Sequence, residues 1–321
     1  MDKYRNDSMT QLGSEAPAFC VTAQPEPIYQ PKYKLSLLLF ALTFFSTLFV
    51  GAQLAISYKT NAPIENEVEL LRYLSGNPAA LTMGFPFAFT VLGFLMAHEM
   101  GHYFACRYYG IRSTLPYFIP FPNLIGTLGA FIKIRSPFQN RKALFDVGIA
   151  GPIAGFIVAV PALMISLPHS KVVAVNPESM QLVLGEPLIF QLIAKSFHVT
   201  PPPGMDIILH PVAFAAWVGF FATALNLLPS GQLDGGHIVY SLFGGYHRIV
   251  SKAFVFVMIP VGMIFWTWWI LWAVIPLVLG LNHPPTMDNS LPLGLGRKII
   301  SVIGLVIFVL SFSLTPIKII H

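Results

Sequence analysis

Residues 35–58 read LSLLLFALTFFSTLFVGAQLAISY, 24 consecutive positions without a formal charge. At about 1.5 Å per helical residue, such a run crosses the ~30 Å hydrocarbon layer of a bilayer. Five more uncharged runs follow, at 73–97, 147–168, 207–233, 253–281 and 299–317. The second is broken at Pro78, so its helix is expected to begin near Ala79. The fifth, 29 residues long, suits one long tilted helix or a tight hairpin equally. Composition agrees with a membrane reading: 55% of the residues are hydrophobic and 10% charged, whereas soluble domains carry about 25% charged residues. A soluble globular enzyme, a disordered chain and a fibrous protein are excluded. The fold class expected is an all-α polytopic membrane protein with about six transmembrane helices.

Charge sets the orientation. Lys32 and Lys34 precede the first run, and Glu65, Glu67 and Glu69 follow it. The loop 104–142 contains Arg107, Arg112, Lys133, Arg135, Arg141 and Lys142 and no acid. Basic loops stay on the cytoplasmic side, so residues 1–33 are expected to form a cytoplasmic tail, with loop 59–72 outside and the chain in the cell (cytoplasmic) membrane. The net charge of +5 then reports topology, and no nucleic-acid partner is expected. Asp2, Asp7, Glu15 and Glu26 lie in a stretch with no apolar core, so no signal or transit peptide is expected. Cys20 and Cys106 are far apart and form neither a disulfide framework nor a thiolate metal site. Within the basic loop, 113–137 differs from its surroundings. Pro116, Pro120, Pro122, Pro137, Gly126 and Gly129 punctuate β-forming residues, and Phe131–Arg135 alternates with period two. A small β-strand or re-entrant element is expected there.

The second run ends in His98-Glu99-Met100-Gly101-His102. Histidines at i and i+4 share one helical face and can grip a single divalent ion, and Glu99 borders that face within reach of a metal-bound water. Counted from Ala79, His98 lies about 28 Å along the helix, near the cytoplasmic edge but still in the membrane. A carboxylate at such depth costs about 2.5–3.5 kcal/mol on insertion scales, which favours a functional role over a merely polar helix end. A third ligand is needed. Of six aspartates, Asp234 alone lies in a long apolar environment, and it is the only formally charged residue from Ile207 to Tyr246. It sits in NLLPSGQLDGGH, 226–237, where Pro229, Gly231, Gly235 and Gly236 interrupt the helix. The run 207–233 returns from outside to inside, bringing Asp234 to the depth of the histidines. Two histidines, an aspartate and one open position make a catalytic zinc arrangement; the competing role for Asp234 is an N-cap for a helix starting near Gly235. His237, three residues on, is read either as orienting Asp234 or as simple packing. Gly151 and Gly155 suit close helix packing. Trp266, Trp268, Trp269 and Trp272 suit an aromatic interface belt, and His210 a membrane-interface residue.

HEMGH at 98–102 together with NLLPSGQLDGGH at 226–237 resembles the site-2 protease family of intramembrane zinc metalloproteases. The chain is most similar to its EGY-like plant-chloroplast and bacterial branch. Phe145-Asp146, Ala150–Gly155 and Leu281–Pro285 add to a likeness covering roughly residues 80–285. The resemblance implies Zn2+ held by His98, His102 and Asp234, Glu99 as catalytic base, and Asn226 positioning the substrate strand or the oxyanion. It implies a membrane metalloprotease domain over 34–321 with its core at 80–285. The outer loop 169–206, 38 residues long, cannot hold a PDZ module, and no CBS pair is expected after the last run. The implied activity is hydrolysis of peptide bonds within or near transmembrane segments. Glu99 would take a proton from water and pass it to the leaving amine. Single-span membrane proteins and the lipid bilayer are the implied partners, and homo-oligomerisation is left open. Residues 123–135 are expected to accept the unwound substrate as an added β-strand. Two alternatives stand beside this reading. A divalent-metal transporter would use His98, His102 and Asp234 as a transit site, but it calls for several polar sites where the sequence has one cluster. An inactive scaffold of the same fold would have no need of Glu99.

Overall fold

The computed structural model describes residues 33–61, 64, 66–174, 181–199, 201–202 and 205–320; the expected tail lies outside them except for Tyr33. The first uncharged run forms α1 (Tyr33–Thr60). Its buried hydroxyls are satisfied within the helix, Thr43 donating to the Leu39 carbonyl and Thr47 to that of Thr43, each at 2.8 Å. A short helix, α2 (Glu67–Gly76), is capped by Asn66, whose side chain accepts from the Glu69 N–H at 2.9 Å. The next helix does not start at Ala79. Pro78 opens a 3-10 segment, Pro78–Gly84, and the α-helix α3 (Phe85–Tyr108) follows with Pro86 in its first turn, where the missing N–H costs nothing.

The proline- and glycine-rich loop folds into an antiparallel hairpin of β1 (Tyr117–Pro120) and β2 (Thr127–Phe131). The alternating residues after Phe131 extend it, since Thr114 and Arg135 donate backbone N–H groups to Lys133 and Arg112 at 3.0 and 2.8 Å. Asn140 caps α4 (Arg141–Ser166), accepting from the Ala143 N–H at 3.0 Å. Then come β3 (Lys171–Ala174), β4 (Gln181–Leu184), α5 (Leu188–Ser196) and β5 (Met205–Ile208). They are followed by α6 (Pro211–Asn226), α7 (Asp234–Phe243), α8 (His247–Ile264), α9 (Trp269–Leu279), α10 (Leu295–Ser311) and β6 (Ile317–Ile320). β3 pairs with β5 and β4 with β6, both antiparallel.

The apolar run 253–281 is a hairpin. α8 and α9 fold onto one another, and Gly262 gives room to Ile270, whose Cγ1 would lie 2.6 Å from any Cβ at that position. Trp269, read as part of an interface belt, is fully buried. Its ring stacks on Phe312 at 5.1 Å and its Nε1–H donates to the Leu314 carbonyl at 2.8 Å. An indole with its N–H satisfied is a good core residue; Trp268, 62% exposed, keeps the outward role.

Among the described residues, four helical stretches are long and apolar enough to cross a membrane: Tyr33–Thr60, Pro78–Tyr108, Arg141–His169 and Asp234–Ile264. Pro211–Asn226 and Trp269–Val278 are shorter apolar helices, so the six uncharged runs do not map one-to-one onto six long helices. The core lies between α3, α4 and α6, around Phe87, Phe94, Leu163, Trp217 and Phe220. Large apolar side chains such as Phe45, Phe89, Ile157, Phe256 and Leu305 point outward, as suits helices solvated by lipid. Each end of the bundle has its own tie. Arg297 in α10 binds Asp146 in α4 through two hydrogen bonds of 2.9 and 2.7 Å, and its Nη2 also donates to the Tyr109 hydroxyl at 3.0 Å. The carboxylate holds the guanidinium above its ordinary pKa. This end carries the HExxH turn of α3. The β4–β6 pair ties the other end, where α4 and α10 finish and α6 begins.

Candidate metal centre

Three elements meet at the end of α3. His98, Glu99 and His102 are all buried there. His98 Nε2 and His102 Nε2 lie 3.1 Å apart, and each is 3.3 Å from Asp234 Oδ2. In a tetrahedral zinc site with bonds of about 2.0 Å, ligand atoms are separated by about 3.3 Å. The triangle therefore matches one face of such a tetrahedron and leaves the fourth corner open. Asp234 Oδ2 is buried with no hydrogen-bond donor assigned to it and only the two imidazole nitrogens facing it. A buried carboxylate oxygen so placed calls for a cation, and the donor set of two imidazoles and a carboxylate suits zinc.

The chain around these atoms explains their aim. α6 stops at Asn226, and the turn through Pro229 and Gly231 (φ +59°) breaks the helix before α7 starts at Asp234 and continues along α4 toward Arg141. The approach is close: a Cβ on Gly235 would lie 2.1 Å from the Leu227 carbonyl oxygen. Leu233 is the N-cap residue of α7, so the Asp234 side chain is not spent on capping and faces the histidines. His102 Nδ1–H donates to the Val147 carbonyl of α4 at 2.7 Å, which leaves the Nε2 lone pair for a metal. Gly151 of α4 makes room for that ring, because a Cβ there would sit 2.2 Å from His102 Nε2. The Glu99 carboxylate is faced by the backbone N–H of Ile132, just past the end of β2. Asn226 Nδ2 lies 3.3 Å from His98 Nε2.

His237 does something other than orient Asp234. Its Nδ1 bonds His283 Nε2 at 2.7 Å, while His283 Nδ1 bonds the Pro284 carbonyl at 2.6 Å and its ring stacks on Tyr240. Burial pushes His283 below its ordinary pKa, consistent with a neutral ring that accepts from His237. The i+3 position turns His237 toward the segment after α9 instead of toward the carboxylate. Sequence reasoning did not find Val147, Ile132 or the steric role of Gly151 beside His102. All three act across elements far apart in the chain, and only the small-residue pairing of Gly151 with Gly155 hinted at the third.

The fold and the site define a helical membrane protein with a metallopeptidase-type centre of two histidines, an aspartate and a neighbouring glutamate. Residues 86–268, more than half of the chain, match the model of peptidase family M50, and the chain belongs to that family. It is 29% identical over 305 residues to "Probable zinc metalloprotease EGY1, chloroplastic" of Arabidopsis thaliana, covering 90% of this chain and 54% of that protein. It is 32% identical over 243 residues to the protein of the same name from Oryza sativa subsp. japonica, covering 69% and 40%. Identity to "Probable zinc metalloprotease EGY2, chloroplastic" of Arabidopsis thaliana is 30% over 250 residues, covering 76% and 42%. The chain thus spans about half or less of the length of these relatives.

Proposed function

We propose that this chain is a zinc-dependent endopeptidase that hydrolyses peptide bonds within or beside the transmembrane segments of membrane proteins. The observation that carries the reading is the 3.1–3.3 Å triangle of His98, His102 and Asp234, with Glu99 buried beside it. Membership of a peptidase family and relatives named as zinc metalloproteases support it. Bound zinc would supply a water acidified to near neutrality and a positive charge against the scissile carbonyl. Glu99 takes a proton from the attacking water and returns it to the leaving amine, with the Ile132 N–H facing its carboxylate. Asn226 offers amide hydrogens to the substrate backbone or to the developing oxyanion. The basic loop after α3 argues that this chemistry faces the cytoplasm, with about six crossings of the bilayer. Single-span membrane proteins are the substrates this depth favours. Among the described residues only one group of metal-ligating side chains converges, which favours a protease over a transporter.

The test is cleavage of a single-span membrane substrate by the purified protein, with and without a zinc chelator. Wild type should cleave, and chelation should abolish the activity. Glu99→Gln should keep about one zinc per chain yet lose turnover by about 100-fold or more. Near-wild-type cleavage by the Gln variant would overturn the assignment of Glu99.

A further inference from the structure

We propose that a cavity at the opposite end of the bundle from the metal centre binds the phosphate-bearing headgroup of an anionic lipid. The cavity, of about 340 Å³, is lined by Ala55, Tyr58, Lys59, Met83, Pro86, Lys171, His210 and Pro211. These residues come from the end of α1, the start of α3, the chain just after α4 and the start of α6. Pro86 lies 12 residues before His98 on α3, or about 18 Å along the helix.

The lining is amphipathic. Ala55, Met83, Pro86 and Pro211 form an apolar wall, and two lysines and a histidine supply donors. Lys171 Nζ donates to Asn61 Oδ1 at 2.7 Å and to the Tyr58 carbonyl, and it lies 4.3 Å from the centre of the Tyr58 ring. An ammonium has three N–H donors, so one remains for a ligand. Among the described residues neither Lys59 nor Lys171 has an ion-pair partner. His210 Nδ1 accepts from the Val212 N–H at 3.3 Å, which puts the ring proton on Nε2. That Nε2–H has no acceptor among the described residues. Tyr58 holds the group together: its ring packs edge-on to His210 at 5.3 Å, and its hydroxyl donates to the His169 carbonyl. Two lysines and a fixed donor above an apolar wall, at the ends of lipid-facing helices, match a phosphodiester headgroup with its glycerol and upper acyl chain. The positive charge selects a net-anionic lipid over a zwitterionic one.

The experiment is native mass spectrometry of the detergent-solubilised full chain, titrated with phosphatidylglycerol and, separately, with phosphatidylcholine. Wild type should retain phosphatidylglycerol in clear preference to phosphatidylcholine. Lys59→Gln and Lys171→Gln should each lower that retention about fivefold, with zinc content and substrate cleavage unchanged. Lys59 is exposed, so its variant reports on the site even if Lys171→Gln disturbs folding. A competition arm with inorganic phosphate separates the sources. Displacement at millimolar phosphate would mean the site reads the phosphate itself, whereas resistance would mean that the acyl-bearing lipid is required; either supports the proposal. Equal retention of the two lipids by wild type would overturn it. So would undiminished phosphatidylglycerol retention in Lys59→Gln, or a rise in KM for a membrane substrate with lipid retention unaltered, which would assign the cavity to the substrate.

Discussion

Gly151 donates no atom to the metal triangle, yet the position of His102 depends on it. A methyl there would lie 2.2 Å from His102 Nε2, inside any tolerable contact. Parting the two helices to relieve it would break their close backbone packing at the neighbouring turn. A Cβ on Gly101 would lie 2.6 Å from the Ala150 carbonyl oxygen. Gly151→Ala should therefore push the imidazole off the triangle and weaken zinc binding about 10–100-fold, as loss of ligand support does elsewhere. Metal content per chain after dialysis against a zinc buffer checks this, with Asp234→Ala as the reference for loss of a ligand. Zinc occupancy equal to wild type would mean that α3 and α4 yield more readily than their packing implies. The contrast between these residues shows what a sequence carries at this scale. His98, Glu99 and His102 are legible because their relation is the period of one helix. Asp234 is legible because a lone charge in a stretch of forty otherwise uncharged, mostly apolar positions demands a reason. Asn226 became visible only through resemblance to a family. Val147 and Ile132 stay hidden, since each acts through a backbone atom and any residue type would carry it.

At the scale of elements, the β1–β2 hairpin links the fold to the handling of a substrate. A transmembrane helix conceals its carbonyls in i to i−4 hydrogen bonds, and once unwound it needs replacement partners. The end of β2 runs beside Glu99 through the Ile132 N–H, so a strand added along this hairpin would pass close to the catalytic base. Leu128 and Phe131 are 59% and 46% exposed and leave room for a neighbour. A proline at a ladder position removes one donor. At about 0.5–1.5 kcal/mol per hydrogen bond, Leu128→Pro or Phe131→Pro should reduce turnover about two- to tenfold, with zinc content unchanged. If both variants cleave at the wild-type rate, strand addition is wrong although the metal chemistry stands. The hairpin itself was readable from its prolines, glycines and alternation. The α8–α9 hairpin was not, because Phe265-Trp266-Thr267-Trp268 turns the chain without a glycine, proline or asparagine. α6 is the opposite case: hydropathy continues to Leu233, but the helix ends at Asn226 because Pro229 and Gly231 break it in the turn that delivers Asp234.

For the whole molecule the open question is which face of the membrane each end occupies. Six basic residues and no acid over 104–142 are the ground on which the HExxH end is proposed to face the cytoplasm, by the positive-inside rule. Charge alone left the far end of α10 undecided, since few charges flank the last apolar run. The strand pairing decides it relative to the rest: β6, beyond α10, pairs with β4, which lies between α4 and α6. At the start of α10, Arg297 grips Asp146 near the start of α4. The two helices thus run the same way, and β6 must emerge on the face away from the metal centre. Cysteine labelling in whole cells tests both steps, after Cys20 and Cys106 are replaced by serine. His198→Cys, after α5, and Lys318→Cys, in β6, should react with a membrane-impermeant maleimide from outside. Gly245→Cys lies between α7 and α8, on the side where Arg141 approaches Gly244, and should react only once the membrane is opened. A Cβ at Gly245 meets no atom within 4 Å, so that substitution is sterically free. Labelling of Gly245→Cys alone in intact cells would invert the orientation and turn the catalytic face outward. Reaction at His198→Cys but not at Lys318→Cys would break the β4–β6 pairing and with it the path assigned to α10.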